Sequence, residues 1–304
     1  MISRRSFLRF FTGMFGLGLA TSAWAVVIEP FWRMRITRYA FTPAGWPEEL
    51  NLRLAIVADI HACEPWMSAE RVRGIAEATN ELGADCVLLL GDYVAGHKYQ
   101  TPVPVDDWAK SLSILKAPLG VHAVLGNHDW WEDPAAMKRE AGPTASRLAL
   151  ERAGIRVYEN DVLRLEKEGR GFWLAGLGDQ LAFIPVRGWR NPVRGVDDLP
   201  GTLAKITDDA PVILMAHEPD VFVRVPSRVA LTISGHTHGG QVRLFGHAPV
   251  VPSRYGERFA YGRVVEEGRD LVVSGGLGCS IFPVRFGSPP EIVVIDLGGE
   301  PRTV

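Results

Sequence analysis

Paired cysteine spacing is missing from this sequence. Cys63, Cys86 and Cys279 are three cysteines in 304 residues, which excludes a disulfide framework or a zinc knuckle. An excess of basic charge is missing too. The formal net charge is −2, and Arg4, Arg5 and Arg9 fall in a first stretch of 25 residues that holds no acid. The remainder carries 30 basic and 35 acidic residues, a balance of −5, which excludes a general nucleic-acid-binding surface. No repeat and no low-complexity tract interrupts the chain. An anionic substrate would therefore be drawn in by a local positive centre such as metal ions. What is present is enough apolar material, 47%, for a full core, and an ordinary 22% of charged residues.

Ser3-Arg4-Arg5-Ser6-Phe7-Leu8-Arg9 leads into an apolar, glycine-rich segment from Phe10 to Ala20 and then Ala23-Trp24-Ala25. Paired arginines, a moderately hydrophobic centre and an A-x-A site resemble a twin-arginine export signal over residues 1–25. That resemblance implies the twin-arginine translocase as a partner, cleavage after Ala25, and a periplasmic or cell-envelope location. An uncleaved anchor to about residue 28 stays open, because the 19 residues from Phe10 to Ile28 carry no charge and roughly match a bilayer span. The N-terminus would then associate the protein with a membrane. Residues 26–50, with Pro43, Trp46 and Pro47, read as a lead-in to a domain over 51–304.

Leu52 to Ala58 reads as a buried strand ending in Asp59-Ile60-His61. Ser68 to Leu82 has helical spacing, with Ser68 as N-cap and Gly83 as the stop. A strand from Cys86 to Leu90 ends in Gly91-Asp92. After a helix near 106–115, another strand, Val121 to Leu125, ends in Gly126-Asn127-His128-Asp129. Helical pieces flank Gly142-Pro143, and Ile155 to Tyr158 reads as a further strand. Val162 to Leu165 and Phe172 to Leu177 read as a hairpin about Gly169-Arg170-Gly171. Residues 181–198, rich in Arg, Gly, Pro and Trp, read as a surface loop over the cleft. Val212 to Met215 leads into His217, and Ala230 to Ser234 leads into Gly235-His236-Thr237-His238, with two more strands at Leu271 to Ser274 and Glu291 to Leu297. The alternation predicts a layered α/β architecture.

Five of these strands end in Asp, Asn or His, at the carboxyl ends where open α/β sheets place their ligands. Such oxygen and imidazole donors suit Mn, Fe, Zn or Mg rather than a thiolate site. Asp59, His61, Asp92, Asn127, His217, His236 and His238 are too many ligands for one ion and suit two divalent metal ions. Two cations can clamp a phosphoryl group and activate water, so no Ser or Cys nucleophile is needed.

Asp59-x-His61, Gly91-Asp92, Gly126-Asn127-His128-Asp129, His217 and Gly235-His236-x-His238 resemble, in order, the five signature blocks of the calcineurin-like metallophosphoesterases. The resemblance implies a four-layer α/β/β/α sandwich of two mixed sheets, which the strand count alone does not give. It also implies hydrolysis of a phosphoester by a metal-bridging hydroxide at a dinuclear centre. One metal would take Asp59, His61, Asp92 and His238, and the other Asp92, Asn127, His217 and His236. His128 would act as general acid or phosphoryl contact, with Asp129 orienting it. Gly239-Gly240-Gln241, Pro252 to Gly256 and the tail from Gly276 through Arg285 to Glu291 resemble the exported or membrane-linked bacterial phosphodiesterase branch. A phosphodiester or pyrophosphate substrate follows by that analogy. A related group cleaves UDP-2,3-diacylglucosamine, which stands as the alternative substrate: that nucleotide lipid is cytoplasmic, so export counts against it unless the N-terminus merely anchors the domain on the inner face. A non-catalytic interaction module would show a substituted ligand, and all seven are present. The second block departs from the family, with Ala95 where another Asp often stands.

Arg254 and Arg285 are candidates for a bidentate phosphate contact, with a structural ion pair as the alternative. Trp66, Trp130 and Trp131 follow the first and third blocks, either as packing or as an apolar rim suited to a lipid-linked substrate. Glu218 reads as a cap or orienting group near His217, and Cys63 as a packed side chain. His97, His122 and His247 read as ordinary residues.

Overall fold

Alternate residues of the strand Leu52–Val57 serve two different cores in the computed structural model, which describes residues 4–96, 100–183 and 194–299. Leu52, Leu54 and Ile56 pack with Leu174, Ile213 and Leu231 between two sheets, while Ala55 and Val57 face a helical layer. The first sheet has the order β1 (Arg35–Phe41), β14 (Glu291–Leu297), β2 (Leu52–Val57), β4 (Cys86–Leu89), β6 (Val121–Ala123) and β7 (Arg156–Val157). All its pairings are parallel except β14 with β2. The second has the order β12 (Gly262–Glu266), β13 (Arg269–Val273), β11 (Val229–Ser234), β10 (Val212–Met215), β9 (Arg170–Gly176) and β8 (Asp161–Lys167), with antiparallel edges around a parallel centre. A small ribbon pairs β3 (Cys63–Glu64) with β5 (Thr101–Pro102).

The outer layers are unequal. Helices Ala69–Asn80, Val105–Leu112 and Ala145–Arg152 cover the first sheet, with Val72, Ile75, Ala76 and Thr79 forming the buried stripe of the first of them. Ser68 caps that helix through the Arg71 N–H at 3.2 Å. Among the described residues the second sheet is covered only by the short helix Leu199–Leu203 and the 3₁₀ turns Pro219–Arg224 and Gly256–Phe259, which bring Leu199, Val221, Phe222 and Phe259 onto it. The architecture is the expected four-layer sandwich with a thin fourth layer. The expected hairpin forms about Glu168 and Gly169, both in left-handed backbone.

Besides the two-residue strands β3 and β5, two strands carry no expectation from sequence. β1 lies in the lead-in and pairs along its whole length with β14, so the sheet begins at Arg35, ahead of the expected domain start at 51. β12 is an edge of the second sheet, and from Arg263 to Glu266 it alternates exposed and half-buried residues.

β2 and β14 are also joined by a buried ion pair. Arg53 and Asp296 stand directly opposite in the register, and the guanidinium donates to both carboxylate oxygens, Nε at 2.7 Å and Nη2 at 3.1 Å. Asp296→Ala strands a buried cation and is expected to cost about 3–5 kcal/mol. The denaturant midpoint reads it directly, and an unchanged midpoint would show that water reaches this pair.

The chain starts with an exposed helix, Arg4–Ala23, continued through Trp24–Ile28 and Glu29–Trp32. Among the described residues it is the one helix long and apolar enough to cross a membrane. Its far end touches the domain, where Ala25 O accepts the Arg285 N–H at 2.9 Å and Pro30 O accepts from the Arg71 guanidinium.

Candidate metal centre

Parallel strands from both sheets end on one cleft. β2 delivers Asp59 and His61, β4 Asp92, β6 Asn127 and His128, β10 His217, and β11 His236 and His238. Five of the seven expected ligands leave their strands in left-handed backbone: Asp59, His61, Asp92, His236 and His238, with φ between 46° and 68°. Non-glycine residues rarely adopt that conformation, and here it turns each side chain off the strand axis into the cleft. The motif glycines leave room for this. A Cβ on Gly126 would lie 2.4 Å from Asp92 Oδ1, and one on Gly235 would lie 2.6 Å from Asp59 Oδ2.

The buried donors form two groups that share one residue. Asp59, His61, Asp92 and His238 converge within 4.8 Å, and so do Asp92, His217 and His236. His61 Nε2 and His238 Nε2 face each other at 3.0 Å, and Asp92 Oδ2 lies 3.5 Å from His61 Nε2 and 3.2 Å from His217 Nε2. Asn127 joins the second group with its Oδ1 2.9 Å from His236 Nδ1. Buried acceptors that face one another, with Asp59 Oδ2 and His217 Nε2 lacking any hydrogen-bond partner, fit a cation between them. Outer bonds orient the rings. His61 Nδ1 contacts Val94 O at 3.0 Å and His217 Nδ1 contacts Leu90 O at 2.6 Å, which leaves each Nε2 lone pair for the cleft.

Charge is strongly coupled here. Burial and the neighbouring Asp92 charge push the Asp59 carboxyl up to about 7, against the pull of His217. Burial opposes ionisation of Asp92 as well, but His217, His128 and His61 outweigh it and hold the carboxylate well below its ordinary range. His217 is raised despite its burial, by Asp92. Burial together with His217 lowers His236 to about 3, and burial with His61 and Arg285 lowers His238. Asp92 is therefore the firmly held anion between the two groups, the rings of His236 and His238 favour the neutral form that metal ligation requires, and His217 would give up its proton to a bound cation.

The remaining candidates separate. His128 lies at the cleft with its backbone N–H on Asp92 Oδ1 at 2.8 Å and its ring against His61 and Trp131. Asp129 does not orient it. The Asp129 carboxylate is consumed by the backbone N–H groups of Asp92, Tyr93 and Gly126, at 2.9, 3.2 and 2.9 Å, and so ties the second block to the third. The carboxylate beside His128 belongs instead to Glu132, 3.7 Å from Nδ1, and next to Gly96. Their i,i+4 spacing was the sequence signal for it. Arg254 is exposed and lines a cavity of about 470 Å³ beside His236, with Gln180, Glu218, Asp220 and Arg224. Arg285 is fully buried behind His238, so the expected phosphate contact does not fit it. Its guanidinium donates to Gly275 O, Gly278 O and Ser288 O and lies 3.1 Å from His238 Nδ1.

Glu218 accepts the Gln180 N–H at 3.1 Å beneath that cavity. Trp130 is core, Trp66 packs against the same cluster, and the Trp131 indole donates to Leu181 O at 2.8 Å, so these three side chains make no exposed rim. Cys63 is packed, and His122 is bonded to Leu119 O and Tyr158. His247 is exposed and pairs with Glu257 at 3.2 Å. His97 and most of the 181–198 loop lie outside the described residues, though Leu181, Gly195 and Asp197 at the loop's base line the cavity.

Comparison with known proteins agrees with this centre. Residues 52–240 match the family model described as calcineurin-like phosphoesterase. The uncharacterized metallophosphoesterase YkuE of Bacillus subtilis is 26% identical over 307 residues, covering 97% of this chain and 98% of that protein. The phosphodiesterase YaeI of Escherichia coli is 28% identical over 318 residues, covering 98% and 100%. A transmembrane protein with metallophosphoesterase domain from Danio rerio is 30% identical over 255 residues, covering 83% of this chain and 54% of that one. With the matched segment running from β2 through the last of the converging histidines, this chain belongs to the calcineurin-like phosphoesterase family of phosphoric ester hydrolases.

Proposed function

We propose that this protein hydrolyses a phosphodiester, or a chemically similar pyrophosphate, at a dinuclear metal centre. The observation that carries the reading is the single carboxylate, Asp92, shared by two buried ligand groups. Two divalent cations bound there would supply an activated water at neutral pH and neutralise charge on the phosphoryl oxygens. The chain's own part is to hold, orient and exchange a proton. Asp92 belongs to both groups, while Asn127, His217 and His236 complete one and Asp59, His61 and His238 the other. Arg254 reaches into the adjoining cavity and pairs with a phosphoryl oxygen. As the bond from phosphorus to the leaving oxygen breaks, the His128 imidazolium gives that oxygen its proton. The phosphodiesterase name of the Escherichia coli relative supports a diester over a monoester.

The N-terminal segment is proposed to direct the protein to the cell envelope by the twin-arginine route. Of its two fates, retention as an anchor is supported by the helix's length and by its contact through Ala25. The Danio rerio relative is itself named a transmembrane protein. N-terminal sequencing of the protein from cells distinguishes retention, with Met1 or Ile2 first, from cleavage, with Val26 first.

Metal analysis joined to hydrolysis of bis(p-nitrophenyl) phosphate tests the enzymatic reading. The expected result is roughly two metals per chain, turnover abolished by a chelator, and recovery on adding Mn²⁺. Faster turnover of UDP-2,3-diacylglucosamine than of the aryl diester would move the substrate to a nucleotide lipid. A metal-loaded protein inert toward both overturns the proposal.

A further inference from the structure

Twelve non-glycine residues in the described chain have positive φ, and only two of them are apolar: Phe245 at 52° and Ile281 at 57°. Other such exposed turns carry Glu140, Glu168 and Glu267, as water demands. A bulky and a β-branched side chain in this backbone are outliers, and both point into solvent, Phe245 fully and Ile281 at 67% exposure. Leu244 and Phe282 beside them are exposed as well.

The two turns form one surface. Arg243 N–H donates to Phe286 O at 2.7 Å and Phe286 N–H to Gln241 O at 2.9 Å, which ties the strand roots together. The same segments face the N-terminal helix, where Met14, Leu17 and Thr21 share an apolar groove with Leu244, Val284 and Phe286. The facing turns of that helix, Met14 to Ala25, span about 16 Å along its axis and lie inside the charge-free run from Phe10 to Ile28. Leu244, at the root of one turn, meets the same apolar medium as this part of the helix. Apolar side chains at such a surface bury about 5–10 Å into a leaflet.

We infer that the turns Leu244–His247 and Ser280–Phe282 insert into the lipid leaflet that holds the N-terminal helix, giving the domain a second, loop-borne attachment to the membrane. This rests on the proposed retention of the helix as an anchor, and it fixes the domain's tilt where a helix alone leaves it free. Arg285, three residues beyond Phe282, backs His238, so the attachment lies a short step from the metal centre.

The full chain is reconstituted in vesicles of phosphatidylethanolamine and phosphatidylglycerol, with an environment-sensitive fluorophore on Phe245→Cys, Ile281→Cys or, as reference, Glu168→Cys. The native cysteines are buried, so the label reports the placed one. The expected result is blue-shifted emission at 245 and 281 that nitroxide-bearing lipids quench, with neither effect at 168. Co-flotation with the vesicles separately reads the anchor. A chain that floats while all three labels stay wet overturns the inference and leaves the anchor standing, and a chain that does not float overturns both. Labels that are dry without quenching mark contact with a second copy and also overturn it. No turnover is measured, so loss of the phosphodiesterase reading would leave this result unaffected.

Discussion

Asp92→Asn is expected to lower kcat by about 10³-fold or more and to release metal from both groups. The substitution removes one charge and almost no volume. Asp92 is buried, and it is the residue held most firmly as an anion, because His217, His128 and His61 surround it. Its Oδ2 faces His61 Nε2 and His217 Nε2, one ring from each ligand group, so one neutral amide weakens two sites at once. The fold should survive, since the amide oxygen of Asn can still accept the His128 N–H that Oδ1 accepts now. Metal content per chain and kcat are the paired readouts. A variant that keeps both ions and full turnover would mean Asp92 bridges nothing, and the dinuclear reading would fall with it.

Those same strand ends mark what the sequence made legible. Long apolar runs such as Val212–Met215 and Val229–Ser234 stop at Asp, Asn or His, and period and punctuation locate such ends without any contact information. β1 and β12 escaped because edge strands bury only part of themselves. Arg35 and Arg38 leave β1 looking like a polar linker, and its membership comes from pairing with β14, some 250 residues away. Asp129 and Arg285 carry motif-like neighbours, yet their roles depend on which backbone groups come near. Three N–H donors claim one and three carbonyls claim the other, and no spacing rule announces either. The left-handed backbone at the ligands is equally silent in sequence, apart from the glycines that make space beside it. Trp130 and Trp131, open in sequence between packing and a rim, resolve to packing. An aromatic residue next to a catalytic motif suggests a recognition rim, but the short helix Asn127–Trp131 turns Trp130 into the core.

His128→Ala is expected to cost about 10²–10⁴-fold in kcat while both ions stay bound, because the ring borders the ligand groups without belonging to either. Its imidazole is raised toward the charged form. Burial opposes this, but Asp92 and Glu132 outweigh it. The backbone of residue 128 still donates to Asp92 Oδ1 in the variant, which leaves the shared carboxylate in place. A proton donor matters most when the leaving oxygen is a poor leaving group. The loss should therefore be large for an alkyl phosphodiester and much smaller for a p-nitrophenyl ester, whose phenolate departs without help. A purely structural role would depress both substrates equally and would show in metal content. Equal losses on the two esters, with the ions retained, would reassign His128 from proton donor to phosphoryl contact, since a ring that only stabilises charge is indifferent to the leaving group.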